Sequence, residues 1–147
     1  MTDAAIKQEV IDIVDRYVTH LDRRRFEDWL ALFTDDCYYT MILHEDYVKD
    51  NNMVAIGENK PQLAGRIEVG QNVERDRSTH LVSAVTAEAA GDEVRAEANF
   101  AVIRRGAIVC SGHYEMTLVR QQSALKVSRC KAVLANDIIH GIIYLPV

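Results

Sequence analysis

From Thr79 onward the chain repeats its apolar residues every second position, and that period constrains the fold more than any other feature. In "EVRAEANFAVIRR", Val94, Ala96, Ala98, Phe100 and Val102 alternate against Arg95, Glu97 and Asn99. Successive side chains on a strand point to opposite faces, so this pattern predicts a strand with one buried and one wet face. "HLVSAVTAEAA" precedes it across a Gly91-Asp92 turn. "AIVCSGHYEMTLVRQ" follows a turn at Gly106 and is expected to place Ile108, Cys110, Tyr114, Met116 and Leu118 on one face. "ALKVSRCKAVLAN" alternates again. The closing "DIIHGIIYLPV" carries more apolar surface than a free end should expose, which predicts that it packs on the sheet or on another chain.

The first third follows a different rhythm. Ile6, Val10, Ile13, Val14, Tyr17 and Leu21 recur at steps of three and four, which makes one apolar stripe on a helix over residues 4–22, capped by Thr2 or Asp3. A shorter helix is expected over "RFEDWLALF", with Phe26, Trp29, Leu30 and Phe33 on one side and Thr34 to Asp36 as the turn that ends it. "CYYTMILH" reads as a strand. Residues 45–58 are polar and punctuated by Asn and Gly, so they predict a loop that serves as a lid or an interface segment. Pro61 is suited to the first turn of a third helix. Helices followed by long antiparallel strands give an α+β chain, expected as one domain over residues 1–147. Tight turns between the strands predict a strongly curved meander, antiparallel or mixed, with the early helices on its concave face. Such a cone has a pocket at its open end.

Charge and cysteine content narrow the function classes. A formal charge of −5 argues against a nucleic-acid or anionic-membrane surface. The apolar runs are too short to span a bilayer, and residues 1–6 lack the layout of a signal peptide, so a cytoplasmic location is expected. Three widely spaced cysteines (Cys37, Cys110 and Cys130) fit a reduced state.

Metal chemistry fails on spacing. A Rieske centre needs two Cys/His pairs. Cys110 and His113 imitate one, but residues three apart on a regular strand face opposite ways, and neither Cys37 nor Cys130 supplies the second pair. His20 and Asp22 stand about 200° apart around a helix and cannot share a mononuclear iron. No metal or cofactor site is therefore expected on this chain.

Two stretches, "LDRRRFEDWLALFTDDCYYT" and "RSTHLVSAV", resemble the small (β) subunits of aromatic-ring-hydroxylating dioxygenases. The shared pattern of Leu21, Asp22, Trp29, Leu32, Phe33, Asp35, Asp36 and Tyr39 extends across a cone-shaped superfamily that is NTF2-like. That superfamily includes nuclear transport factor 2, ketosteroid isomerase, scytalone dehydratase and the SnoaL-like polyketide cyclases. Arg66-Ile67 followed by Arg77 to Ser83 is similar to the β-subunit pattern more narrowly; Ala84 stands where many members carry Asn. The resemblance implies an assembly role in a complex built on a trimer of this chain. The Rieske iron-sulfur cluster and mononuclear iron would then lie on a partner α subunit.

The wider superfamily implies a rival. Asp22 and His80 match its pocket Asp and His, a pair that can move a proton when the carboxylate fixes the imidazole tautomer. Tyr17, Tyr38, Tyr39 and His113 are candidate neighbours, and Asn99 and Arg104 stand where scytalone dehydratase places a second pocket histidine. On this reading the chain is a stand-alone, dimeric lyase, isomerase or cyclase acting on a small aromatic or polyketide-like molecule. A third reading is a non-catalytic small-ligand-binding module. The structural counterpart is a buried Asp22–His80 pair that ties the first helix to the sheet. Asp35 and Asp36 read as turn residues, the acidic-basic run 74–77 as a solvated face, and Trp29 as core. His44 and His140 receive no role.

Overall fold

The computed structural model describes residues 1–51, 53–136 and 145–147. Helix α1 (Asp3–Asp22) begins at Thr2, whose hydroxyl accepts the Ala5 amide, and buries Val10, Ile13, Val14, Tyr17, Val18 and Leu21. It ends in a turn with Arg24 at φ 57°, where the Arg24 and Arg25 amides return to Leu21 and His20. The Arg24 guanidinium then donates to the carbonyls of Gln71 and Glu74, which joins this turn to the end of the later helix α4 (Lys60–Val73).

Helix α2 (Phe26–Leu30) is shorter than its apolar spacing predicts. Strand β1 (Phe33–Leu43) already starts at Phe33, so Thr34 to Asp36 lie in the strand and do not form a turn. A register shift between Phe33 and Tyr38 lets that polar stretch fit against the last strand, β6 (Ala124–Leu134). Residues 45–51 and 53–58 also hold more regular structure than expected. They supply most of helix α3 (His44–Val48) and strand β2 (Ile56–Asn59), which pairs antiparallel with β1. Helix α4 (Lys60–Val73) starts at a reciprocal capping box between Asn59 and Gln62, with Pro61 in its first turn.

Strands β3 (Thr79–Ala90), β4 (Glu93–Arg104), β5 (Ala107–Gln121) and β6 (Ala124–Leu134) form the expected meander. The six-stranded order is β2-β1-β6-β5-β4-β3, and β1 joins parallel to β6, so the sheet is mixed. Positive φ at Gly91, at Arg105-Gly106 and at Gln122-Ser123 marks the three hairpin turns. Bulges interrupt β3 at Ala84 (φ 54°), β5 near Val109 and β6 near Ser128, and bend the strands around α1. The bulge near Val109 turns Ile108 away from the Cys110 face. Ile108 is 68% exposed, contrary to the strict alternation expected for β5.

The inner face of the sheet and the helices enclose the core. Tyr17, Trp29, Phe33, Tyr39, Phe100 and Tyr114 form a continuous aromatic cluster, with ring centroids 4.3 to 6.1 Å apart. Of the apolar tail, Leu145 and Val147 enter this core, whereas residues 137–144, His140 included, lie outside the described residues.

Candidate functional site

Asp22 is the last residue of α1, and the turn after it aims its carboxylate at the start of β3. One oxygen accepts from the His80 backbone amide at 2.9 Å. The other accepts from the Ser78 hydroxyl at 3.1 Å and from His80 Nδ1 at 2.5 Å. Burial pushes the Asp22 carboxyl upward, but the hydrogen bonds from the His80 ring, the His80 amide and Ser78 outweigh it and hold the pKa below the ordinary carboxylate value. An ionised carboxylate only accepts, so Nδ1 carries the proton. The His80 side chain is 2% exposed, and its Nε2 is buried without a hydrogen-bond partner among the described residues.

Of the candidate neighbours, Tyr17 and Tyr39 lie in the interior, and both are fully buried. Their hydroxyls converge on the tail: Tyr17 donates to the Val147 main-chain oxygen at 2.7 Å, and Tyr39 donates to the same oxygen at 3.1 Å. The Val147 amide donates back to the Tyr39 oxygen at 3.2 Å. Burial raises both hydroxyl pKa values, so both groups stay protonated donors. Tyr114 is a buried interior tyrosine that sequence reasoning passed over as a site residue. Its position on the Cys110 and Met116 face was the available signal, and its hydroxyl has no partner among the described residues.

His113 and Tyr38 are not brought to His80. They lie on the outer face of the sheet, with Asn99. There His113 Nε2 donates to Glu115 at 3.2 Å, and the Tyr47 hydroxyl from α3 donates to the same carboxylate. The Lys131 ammonium sits 5.5 Å from the Tyr47 ring centroid. Tyr38, Thr40, Arg95, Glu97, Glu115, Arg129 and Lys131 border an open depression of about 610 Å³ on this face. It was invisible to a reading that looked for chemistry inside the cone.

The 74–77 run is only partly a solvated face. Glu74 is largely buried: it pairs with Arg104 and accepts the Leu145 amide at 3.0 Å. Arg104 is thus engaged at the rim. Asp76 pairs with the exposed Arg105 at 2.8 Å, and Asp35 with Lys60 at 3.4 Å. Arg66 forms a bonded pair with Glu58 at 2.9 Å.

The residues present do not fit an iron site. Cys110 faces the core, where burial pushes its thiol up to about 11, while His113 is turned to the outer face. Cys130 is likewise pushed up to about 12 by burial. A thiolate ligand needs the opposite shift. Among the described residues no group of three His, Cys, Asp or Glu side chains is arranged to hold a metal.

Comparison with known proteins agrees with this architecture. The chain is 28% identical over 139 residues to the small oxygenase component of the p-cumate 2,3-dioxygenase system of Pseudomonas putida, covering 84% of this chain and 77% of that one. It is 23% identical over 151 residues to the anthranilate 1,2-dioxygenase small subunit of Burkholderia cepacia, covering 95% and 92%. The fold is shared with a Novosphingobium aromaticivorans chain described as the β subunit of an aromatic-ring-hydroxylating dioxygenase. That match has a TM-score of 0.87 at 23% identity and covers 98% of both chains. The model of the ring hydroxylating beta subunit family matches residues 16–141, and the chain belongs to that family.

Proposed function

We propose that this chain is the non-catalytic small subunit of an aromatic-ring oxygenase, assembled as a trimer with a larger subunit that carries a Rieske cluster and a mononuclear iron. The observation that carries this reading is the family match over residues 16–141. The side chains support it by their distribution. The inner face is committed to its own core, whereas the outer face offers a depression with Arg95, Arg129 and Lys131 beside Glu97 and Glu115. Mixed charge of this kind suits recognition that is set by register and orientation. The redox chemistry then belongs to the partner, and this chain supplies a rigid surface.

Within that role, Asp22–His80 is a strut. One carboxylate takes two hydrogen bonds from His80 of β3 and one from Ser78 just before it, and so fastens the end of α1 to the sheet edge. The rival reading, a lyase or isomerase with His80 as general base, has one observation in its favour: the unpartnered Nε2, which in the neutral ring is a lone pair.

Co-expression with a Rieske-bearing large subunit from the same genome tests the proposal. A stable complex should elute as one species, with all iron and acid-labile sulfide on the larger chain. A chain that forms no such complex and turns over a small cyclic substrate alone would overturn it.

A further inference from the structure

The outward side chains of the central strands stand in two rows that cross the sheet. Glu97, Glu115, Lys131 and Thr40 are in register along one row, and Arg95, Thr117, Arg129 and Tyr38 along the next. In the first row Glu115 and Lys131 are engaged. Glu115 accepts from the Tyr47 hydroxyl and from His113, and the Lys131 ammonium stands 5.5 Å from the Tyr47 ring centroid. The second row differs. Arg66, Arg104 and Arg120 each hold a carboxylate of this chain, whereas among the described residues neither Arg95 nor Arg129 has one within ion-pair distance. Neighbouring strands lie about 4.8 Å apart, so Arg95 and Arg129 stand about 10 Å from each other with Thr117 between them. Two guanidinium forks and a hydroxyl bordering one depression make a donor set suited to a carboxylate.

A second hollow, of about 390 Å³, continues this depression. The two share Tyr38, Thr40 and Lys131, and the second is bordered further on by Ile42, Tyr47 and Val54. Together they make one trough that is cationic over β4 to β6 and apolar where it meets α3 and the residues before β2. In that segment Val48, Met53 and Val54 are 61%, 71% and 43% exposed. A free anion would gain little here, because exposed ion pairs are worth little in water. A chain segment lying along the trough would exclude water from the guanidinium groups and cover the apolar end as well.

We propose, resting on the small-subunit reading above, that this trough is the docking groove for a segment of the larger subunit that carries one carboxylate and one apolar side chain about 10 Å apart. Arg95, Thr117 and Arg129 seat the carboxylate. Tyr38, Tyr47 and Val54 seat the apolar group.

Co-expression of a limiting amount of the larger subunit with equal amounts of wild-type chain and a differently tagged variant reads the preference, as the ratio of the two in the purified complex. Arg95→Gln with Arg129→Gln should be incorporated at least about tenfold less than the wild type, and Thr117→Val or Val54→Asp about threefold less. Arg16→Gln with Arg77→Gln removes the same charge from exposed sites elsewhere and should be incorporated as the wild type is. Undiminished incorporation of the Arg95 and Arg129 variant, or an equal loss in the Arg16 and Arg77 variant, would overturn the proposal. Arg129→Lys keeps the charge and identifies the occupant. In that complex carbodiimide should couple the new amine to an Asp or Glu of the larger subunit, located by mass spectrometry. Coupling to a second copy of this chain, or only within one chain, counts against the groove. A wild-type chain that forms no complex refutes the small-subunit reading itself; a wild-type complex that tolerates Arg95→Gln with Arg129→Gln refutes the groove alone.

Discussion

The two faces of the sheet use the same residue types for opposite ends. On the inner face, Tyr39 and His80 are paired with other parts of this chain, as are Tyr17 and Asp22 of the helix packed against it, and the space between them is filled. On the outer face, Tyr38, Arg95, Glu97, Arg129 and Lys131 border an open depression. Tyr47 is pinned to Glu115 at its edge. Side chains that look catalytic in a sequence can thus be the structural ones. The side chains that look like ordinary solvated strand residues are the ones that border the open depression.

The strongest break in that comparison comes from the plane between the faces. A Cβ on Gly112 would stand 1.8 Å from the Val133 carbonyl oxygen, so Gly112→Ala must part β5 from β6. A loss of about 3 kcal/mol or more is expected, and denaturant unfolding measures it. Both faces should then fail together.

His80→Ala separates them. It removes a buried ring and one hydrogen bond to a charged partner, and should cost about 1.5–3 kcal/mol in the same assay while leaving the outer face intact. Asp22→Asn adds a pH signature. The folded Asp22 carboxyl has its pKa held below the unfolded value, so its contribution is complete above about pH 4 and is lost as pH falls through the folded value. The stability gap between the wild-type chain and Asp22→Asn should therefore narrow below about pH 4. A gap that widens there would contradict the charge-assisted strut.

Arg129→Glu combined with Lys131→Glu addresses the outer face alone. Arg129 is exposed and Lys131 half-buried, so stability should change by only about 0.5 kcal/mol, while assembly into a larger complex, followed by size-exclusion chromatography, should be lost. The smallest effect is expected at Ala84, a non-glycine residue at φ 54° in the β3 bulge. Asn tolerates that conformation better, so Ala84→Asn should raise the melting temperature slightly, by a few tenths of a kcal/mol in stability or about 1 at most.

Much of the fold was legible because period and position are local properties. The α1 stripe, the four meander strands and the helix at Pro61 follow from spacing and turn residues, and the structure places them where those signals lie. The misreadings have a common cause in bulges and edge pairing, which depend on a partner strand. Thr34 to Asp36 resemble a turn until β6 gives them a register to bulge against. Residues 56–59 are too short and polar to announce a strand, and become one by pairing with β1. Ile108 leaves its face through a bulge that has no residue signature. In the site, the Asp22–His80 contact was legible through the resemblance, and the packing of the tail through its apolar content, whereas the meeting of Val147 with Tyr17 and Tyr39 was not. Two residues 130 positions apart carry no spacing signal that links Val147 to Tyr17.

The central claim is that the interior of this chain holds structure and that its outer surface serves an assembled oxygenase. The most direct measurement is turnover per assembled complex for His80→Ala, with the melting temperature recorded on the same preparation. The account predicts a lower melting temperature with turnover per complex unchanged. Turnover abolished in a complex that still assembles and still holds its full iron content would contradict it, and would move His80 from strut to base.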